Sequence, residues 1–68
     1  MISYAPLWNT MKEKHATTYT LQKNGISSAT IRNMKAGKSV SLNTVDVLCK
    51  ILSCSIQDVA IYIPDKNP

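Results

Sequence analysis

The chain has 68 residues, of which 44% are hydrophobic and 18% charged, and its formal net charge is +4. This balance indicates one small globular domain with its own core, and it argues against a disordered chain. There is no apolar run near 18 residues and no signal peptide, so we expect a cytoplasmic protein with free thiols. Two cysteines and one histidine are too few ligands for a zinc site, and we expect no cofactor.

Positive charge is concentrated in the middle of the chain. Residues 9–43 contain six basic residues and one acidic residue, whereas three of the four acidic residues lie in the last third. A segment this basic suits a polyanionic partner, although a solvated lysine surface gives the same pattern.

The first two predicted helices are short. Ser3 is expected to cap a helix that ends near Lys14, and its apolar stripe consists of Leu7, Trp8 and Met11. Thr17 or Thr18 is expected to cap a second helix from Tyr19 to Lys23. Leu21 is its buried anchor, and Asn24-Gly25 is a turn signal.

The third predicted helix has both of its ends marked. Ser27 is a good N-cap, and Gly37 suits the left-handed position that closes a helix. Ile31 and Met34 fall on one face, and the other face carries Ala29, Arg32, Asn33 and Ala36, with Ser28 at its edge. Arginine pairs with guanine and asparagine with adenine, so this is a candidate recognition helix. An ordinary solvated helix face is the alternative interpretation.

Two further helices are expected in the last third of the chain. Ser41 should cap a fourth helix that runs to about Leu52, with an apolar set of Leu42, Val45, Leu48, Cys49 and Leu52. Ser55 should cap a short fifth helix through Ala60, with Asp58 at its third position. Residues 61–63 then run extended into Pro64, and residues 65–68 are expected to be a frayed tail.

The order and spacing of these motifs resemble the helix-turn-helix family of phage Cro and repressor proteins (XRE-like). The similar stretch covers about residues 7–63. It includes Gly-Ile-Ser-Ser-Ala-Thr-Ile at 25–31, then Gly37, Ser-Leu-Asn-Thr-Val at 41–45, and residues 52–59. Thr20 and Leu21 depart from the family's apolar-then-small pattern before the turn glycine, which predicts a second helix that is shifted or one residue short.

The resemblance implies an all-α fold, a compact five-helix lambda-repressor-like domain over residues 1–68 with its helix-turn-helix at helices 2 and 3. It also implies two sets of DNA contacts. The residues that would face base edges in the major groove are Ser28, Ala29, Arg32 and Asn33. The residues that would lie near the sugar-phosphate backbone are Thr17, Ser27, Lys38 and Asn43.

The implied function is sequence-specific binding of double-stranded DNA by a transcriptional regulator, a repressor, acting as a homodimer on a two-fold symmetric operator. The alternative is an antitoxin-like or anti-regulator interaction module whose third helix is idle. An enzyme is not expected, because paired carboxylates, Cys–His and Ser–His arrangements and phosphate-cradling glycine loops are all absent. Residues 61–63 are expected to join the dimer, by strand pairing or against the partner's fifth helix, or else to fold back on the first helix.

Overall fold

Four α-helices make up most of the computed structural model, which describes residues 1–65. The helices are α1 (Ala5–Glu13), α2 (Thr18–Lys23), α3 (Ser28–Lys35) and α4 (Leu42–Leu52). A strand β1 (Ile2–Ser3) precedes them, and a 3-10 turn (Ile56–Asp58) and a strand β2 (Ile61–Tyr62) follow. The two strands pair antiparallel, with Ile2 opposite Tyr62. None of the described helices is long and apolar enough to cross a membrane.

Three of the helices begin at predicted hydroxyl N-caps. The side chains of Thr17, Ser27 and Ser41 accept hydrogen bonds from the backbone N–H three residues further on, at 3.4, 3.1 and 3.1 Å. These bonds pair one of the N–H groups that the first turn of a helix leaves without a partner. For α2 the cap is Thr17, and the helix begins at Thr18, one residue earlier than predicted.

The predicted cap of α1 is wrong by one residue. Tyr4 occupies the N-cap position and makes no side-chain cap. Ser3 is held extended in β1 by its pairing with Ile61, although its hydroxyl oxygen still accepts from the N–H of Ala5 at 3.2 Å. The end of α1 at Glu13 agrees with the prediction.

The predicted fifth helix is also wrong, because the chain makes only one 3-10 turn there. The N–H of Ser55 donates to the Asp58 carboxylate at 3.1 Å, which is one half of the expected capping arrangement. Val59 is then fully buried, and the chain straightens at once to pair with β1. The segment at 61–63 therefore pairs with residues 1–3, the strand before α1.

The core is formed by eleven buried hydrophobic residues drawn from every helix. Those with the least exposure are Leu7, Leu21, Met34, Leu48 and Val59. Leu42 contradicts its prediction: its relative exposure is 76%, because as the first residue of α4 it lies outside the core. Cys49 and Trp8 are half-buried against the core rather than inside it.

The carboxyl-terminal end of the described chain is tied to the amino terminus. The terminal ammonium lies 3.3 Å from the Asp65 carboxylate and donates to the Ile63 carbonyl at 2.6 Å. Asp65 thus contacts the amino terminus, and the rest of the predicted frayed tail, 66–68, lies outside the described residues.

Candidate nucleic-acid interface

The turn between α2 and α3 fixes how the third helix is presented. Gly25 has a φ of +103°, a conformation that side chains of L-residues rarely adopt. The next residue, Ile26, is buried, and its N–H donates to the Leu21 carbonyl at 3.0 Å. Ile26 thus anchors the turn in the core, and α3 begins two residues later with its first residue, Ser28, exposed at the surface.

The third helix divides into the two faces that its sequence predicts. Ile31 and Met34 are buried, at 4% and 2% relative exposure. The four predicted base-reading residues, Ser28, Ala29, Arg32 and Asn33, are all exposed. At 100° per residue they occupy an arc of about 140° on the side away from the core. The structure therefore brings these four side chains together on one solvent-facing surface.

The polar groups on this face are free to meet a ligand. Neither the Arg32 guanidinium nor the Asn33 carboxamide has a hydrogen-bond or ion-pair partner within residues 1–65. Both groups are presented by a helix whose other side is locked in the core. Each of the two groups can make a pair of parallel hydrogen bonds to the edge of a planar ring such as a nucleic-acid base.

The predicted phosphate-contacting residues lie at helix ends around this face. Thr17 and Ser27 are N-caps whose hydroxyls are already engaged, and Ser27 donates to the Thr30 hydroxyl at 2.9 Å. The groups at these helix ends that are still available to an anion are therefore the first N–H groups of α2 and α3, such as those of Ser28 and Ala29. Those N–H groups have no partner among the described residues, and a helix N-terminus with free N–H groups attracts anions.

The other two predicted phosphate contacts lie after α3 and at the start of α4. Lys38 is exposed, and its ammonium has no partner among residues 1–65. Its backbone is held firmly, since its carbonyl accepts from the Tyr4 hydroxyl at 2.8 Å and its N–H donates to the Asn33 carbonyl at 2.8 Å. Asn43 is exposed on the first turn of α4, next to the Ser41 cap.

Positive charge at this surface is not neutralised by ion pairs. Two ion pairs occur among the described residues, Asp46 with Lys50 at 3.1 Å and Asp65 with the terminal ammonium at 3.3 Å. Neither one involves the basic residues of α2, α3 or the loop after α3, which are Lys23, Arg32, Lys35 and Lys38. The positive electrostatic potential of these four side chains can therefore attract a polyanion.

Two residues of this region have no role predicted from the sequence. Tyr19 is 69% exposed at the start of α2, and it lies two positions before the buried Leu21, so helical spacing already puts it on the outer side. Tyr4 is buried and fixes the loop that carries Lys38. No local signal predicts that contact, because its two ends are 34 residues apart.

Comparisons with known proteins agree with this geometry. The family profile described as the Cro/C1-type HTH DNA-binding domain matches residues 6–65. A solved structure, that of the transcriptional regulator VanUg in crystal form II, is similar over 94% of this chain and 87% of its own, with a TM-score of 0.84 and 23% identity. A comparison with curated protein sequences finds no match.

Proposed function

Because the chain belongs to the family of Cro/C1-type helix-turn-helix DNA-binding domains, we propose that it is a sequence-specific transcriptional regulator that reads the major groove of double-stranded DNA with α3. The observation that carries this proposal is the exposed face of α3. Arg32 and Asn33 lie there without partners among residues 1–65, while Ile31 and Met34 fix the opposite face in the core.

In this proposal the two sets of residues have different tasks. Ser28 and Ala29 bring the helix close to base edges because their side chains are small, while Arg32 and Asn33 make hydrogen bonds to bases. Thr17, Ser27, Lys38 and Asn43, or the N–H groups beside the caps, hold the phosphates and set the register of the helix in the groove. The four cations Lys23, Arg32, Lys35 and Lys38 form no ion pair within residues 1–65, and in this proposal they attract the duplex irrespective of its sequence.

The proposal includes a homodimer on a two-fold symmetric operator and a repressor's mode of action in the cytoplasm. One eight-residue helix reaches only a few base pairs, whereas two copies one helical turn apart reach twice as many. A bound dimer represses by occupying DNA that the transcription machinery needs, which requires no further contact surface.

Selection of bound sequences from random duplex DNA tests the proposal directly. The full chain is expected to enrich a short motif in two inverted copies, centred about one helical turn apart. In titrations on the enriched site, the binding affinity should fall steeply as the salt concentration rises, since the protein displaces counterions from several phosphates. If no motif is enriched and duplex DNA is not bound at low salt, the domain is an interaction module and α3 is idle.

A further inference from the structure

The two cysteines of the chain lie at the end of α4, away from the residues proposed to contact DNA. Cys49 is in the last turn of the helix, and Cys54 is the second residue after the helix ends. Both are free thiols and half-buried. We propose that Cys49 and Cys54 are a redox-active pair, which a small-molecule disulfide oxidises reversibly to one intramolecular disulfide within the intact fold.

The backbone that closes α4 brings the two cysteines together. Ser53 has a left-handed conformation, with φ 49° and ψ 53°, and it turns the chain back toward the helix. The Cys49 carbonyl accepts from the N–H of Ser53 and also from the N–H of Cys54, the latter at 3.1 Å. In helix ends of this type, the side chains of the two residues joined by the outer hydrogen bond commonly contact each other.

The outer hydrogen bond also limits the distance between the two residues. A backbone nitrogen is one bond from its Cα and a carbonyl oxygen is two bonds from its Cα, so a nitrogen–oxygen distance of 3.1 Å keeps the Cα atoms of Cys49 and Cys54 within about 7 Å of each other even if all bonds are stretched out. The bent path of a real helix end makes the separation shorter. A disulfide joins Cα atoms roughly 4.4–6.8 Å apart, so the backbone already has the span that the bond needs.

The environment of the thiols is consistent with a stable bond between them. Burial raises the pKa of the Cys54 thiol, and the neighbouring Cys49 thiol raises it further. The two sulfurs are therefore close enough for one to disfavour ionisation of the other. A thiol of raised pKa is also a slow leaving group, so the disulfide should resist reduction once it has formed.

Both sulfurs can be reached by a small reagent. Cys49 lines an open groove beside Ile56, and Cys54 lines a second open groove beside Lys14. Both side chains also pack against the core, which limits their movement. The pair is therefore accessible and held in place at the same time.

The oxidation consists of two thiol–disulfide exchanges. The thiolate of one cysteine attacks a sulfur of the small disulfide, forms a mixed disulfide and releases one small thiolate. The thiolate of the other cysteine attacks the protein sulfur of that mixed disulfide, forms the bond between Cys49 and Cys54 and releases the second small thiolate. The protons of the two cysteines end on the small thiols. Two protein thiols are thus oxidised, and one small disulfide is reduced to two thiols.

Incubation of the folded full chain in a glutathione redox buffer, followed by mass spectrometry, tests the pairing. The wild type should accumulate a species that is lighter by two hydrogens. Trypsin cleaves after Lys50, between the two cysteines, so the disulfide should appear as two linked peptides that separate on reduction. Cys49→Ser and Cys54→Ser should instead accumulate the mixed disulfide with glutathione, since each lacks the second thiol.

The matched control keeps two thiols and changes their spacing. In the double variant Cys54→Ser, Ser55→Cys, one thiol moves to an exposed residue beyond the one whose N–H binds the Cys49 carbonyl. The equilibrium constant for forming its internal disulfide should be lower than that of the wild type by roughly tenfold or more, because the bond would require the backbone to move.

Unfolding supplies a second measurement. Cross-linking a six-residue segment removes conformational freedom mainly from the unfolded chain, so a bond that fits the native backbone should favour the folded state by roughly 10–40-fold. The oxidised chain should therefore melt at a higher temperature than the reduced chain. A folded wild type that stays reduced or carries glutathione on both cysteines overturns the inference, as do an equal internal disulfide in the double variant and an oxidised chain that melts below the reduced one. These measurements contain no DNA, so their outcome is independent of the proposed function.

Discussion

At the scale of single residues, Arg32 and Lys38 differ in what they can reach. Arg32 lies on the exposed face of α3, so Arg32→Ala should cost about 1–3 kcal/mol on the selected site and relax the preference at one base pair. Titration against cognate and scrambled duplexes measures both effects. An equal loss of affinity for the two duplexes would mean that this arginine contacts phosphate, and that the face of α3 assigned to base contacts is wrong.

Lys38 lies beyond Gly37, outside the helix, so we expect its long side chain to reach phosphate rather than bases. Lys38→Ala should weaken cognate and scrambled DNA by similar factors, and it should flatten the log–log salt dependence by roughly 1. Lys50→Ala is the matched control, because that ammonium is paired with Asp46. A sequence-dependent loss from Lys38→Ala would contradict the assignment.

Cys54 gives a residue-scale prediction about pH. Burial raises the pKa of the Cys54 thiol, and the neighbouring Cys49 and the Asp58 carboxylate raise it further. In the folded chain, alkylation of Cys54 by iodoacetamide should therefore accelerate at higher pH than in the unfolded chain, as followed by mass spectrometry of each cysteine. The folded state therefore holds the thiol proton more tightly than the unfolded state does. The stabilisation from this protonated thiol is fully present below the pKa of Cys54 in the unfolded chain, and it is lost as the pH rises through the higher pKa of Cys54 in the folded chain. Identical pH profiles in the two states would contradict the shift.

At the scale of elements, the two glycines that end α2 and α3 allow a matched comparison. Gly25 has a φ of +103° and Gly37 a φ of +77°, and an added Cβ meets nothing within 4 Å at either position. The cost of alanine is therefore backbone strain alone, on the order of 1–2 kcal/mol. Gly25→Ala should be the more destabilising change, because its φ lies further from the left-handed helical region near +57°. Denaturant unfolding of both variants measures the difference, and equal stability of Gly25→Ala and wild type would refute it.

Local signals account for the elements that were predicted well. The caps of α2, α3 and α4 and the turn at Gly25 depend on hydroxyls and a glycine within a few residues of where they act, so the sequence contains all the information. The apolar face of α3 follows from its spacing in the same way. The exposed face of α3 can therefore be predicted as the candidate site from the spacing of its residues alone.

The elements that were missed depend on partners far along the chain. A two-residue strand has no periodicity, and β1 exists only because it pairs with β2, about 60 residues away. The same pairing ends the last turn early and prevents the expected fifth helix. The bond from Tyr4 to Lys38 is likewise long-range, and Leu42 is exposed because none of the described elements covers it at the start of α4.

At the scale of the whole molecule, the domain depends on one small core to which every helix contributes. Leu48 has no exposed surface, and it lies on α4 among side chains from the other helices and Val59. A domain of this size has a total stability of only about 5 kcal/mol, so the loss of one buried leucine is a large fraction of it.

Leu48→Ala should therefore destabilise the fold by roughly 2–5 kcal/mol and leave much of the chain unfolded at room temperature. Leu42→Ala removes the same atoms from the same helix at a position that is 76% exposed, so it should change stability by no more than about 0.5 kcal/mol. Circular dichroism during thermal and urea unfolding compares the two variants, both at the same low protein concentration so that self-association does not contribute. An unchanged melting temperature for Leu48→Ala, or a large drop for Leu42→Ala, would mean that α4 packs its other face on the core.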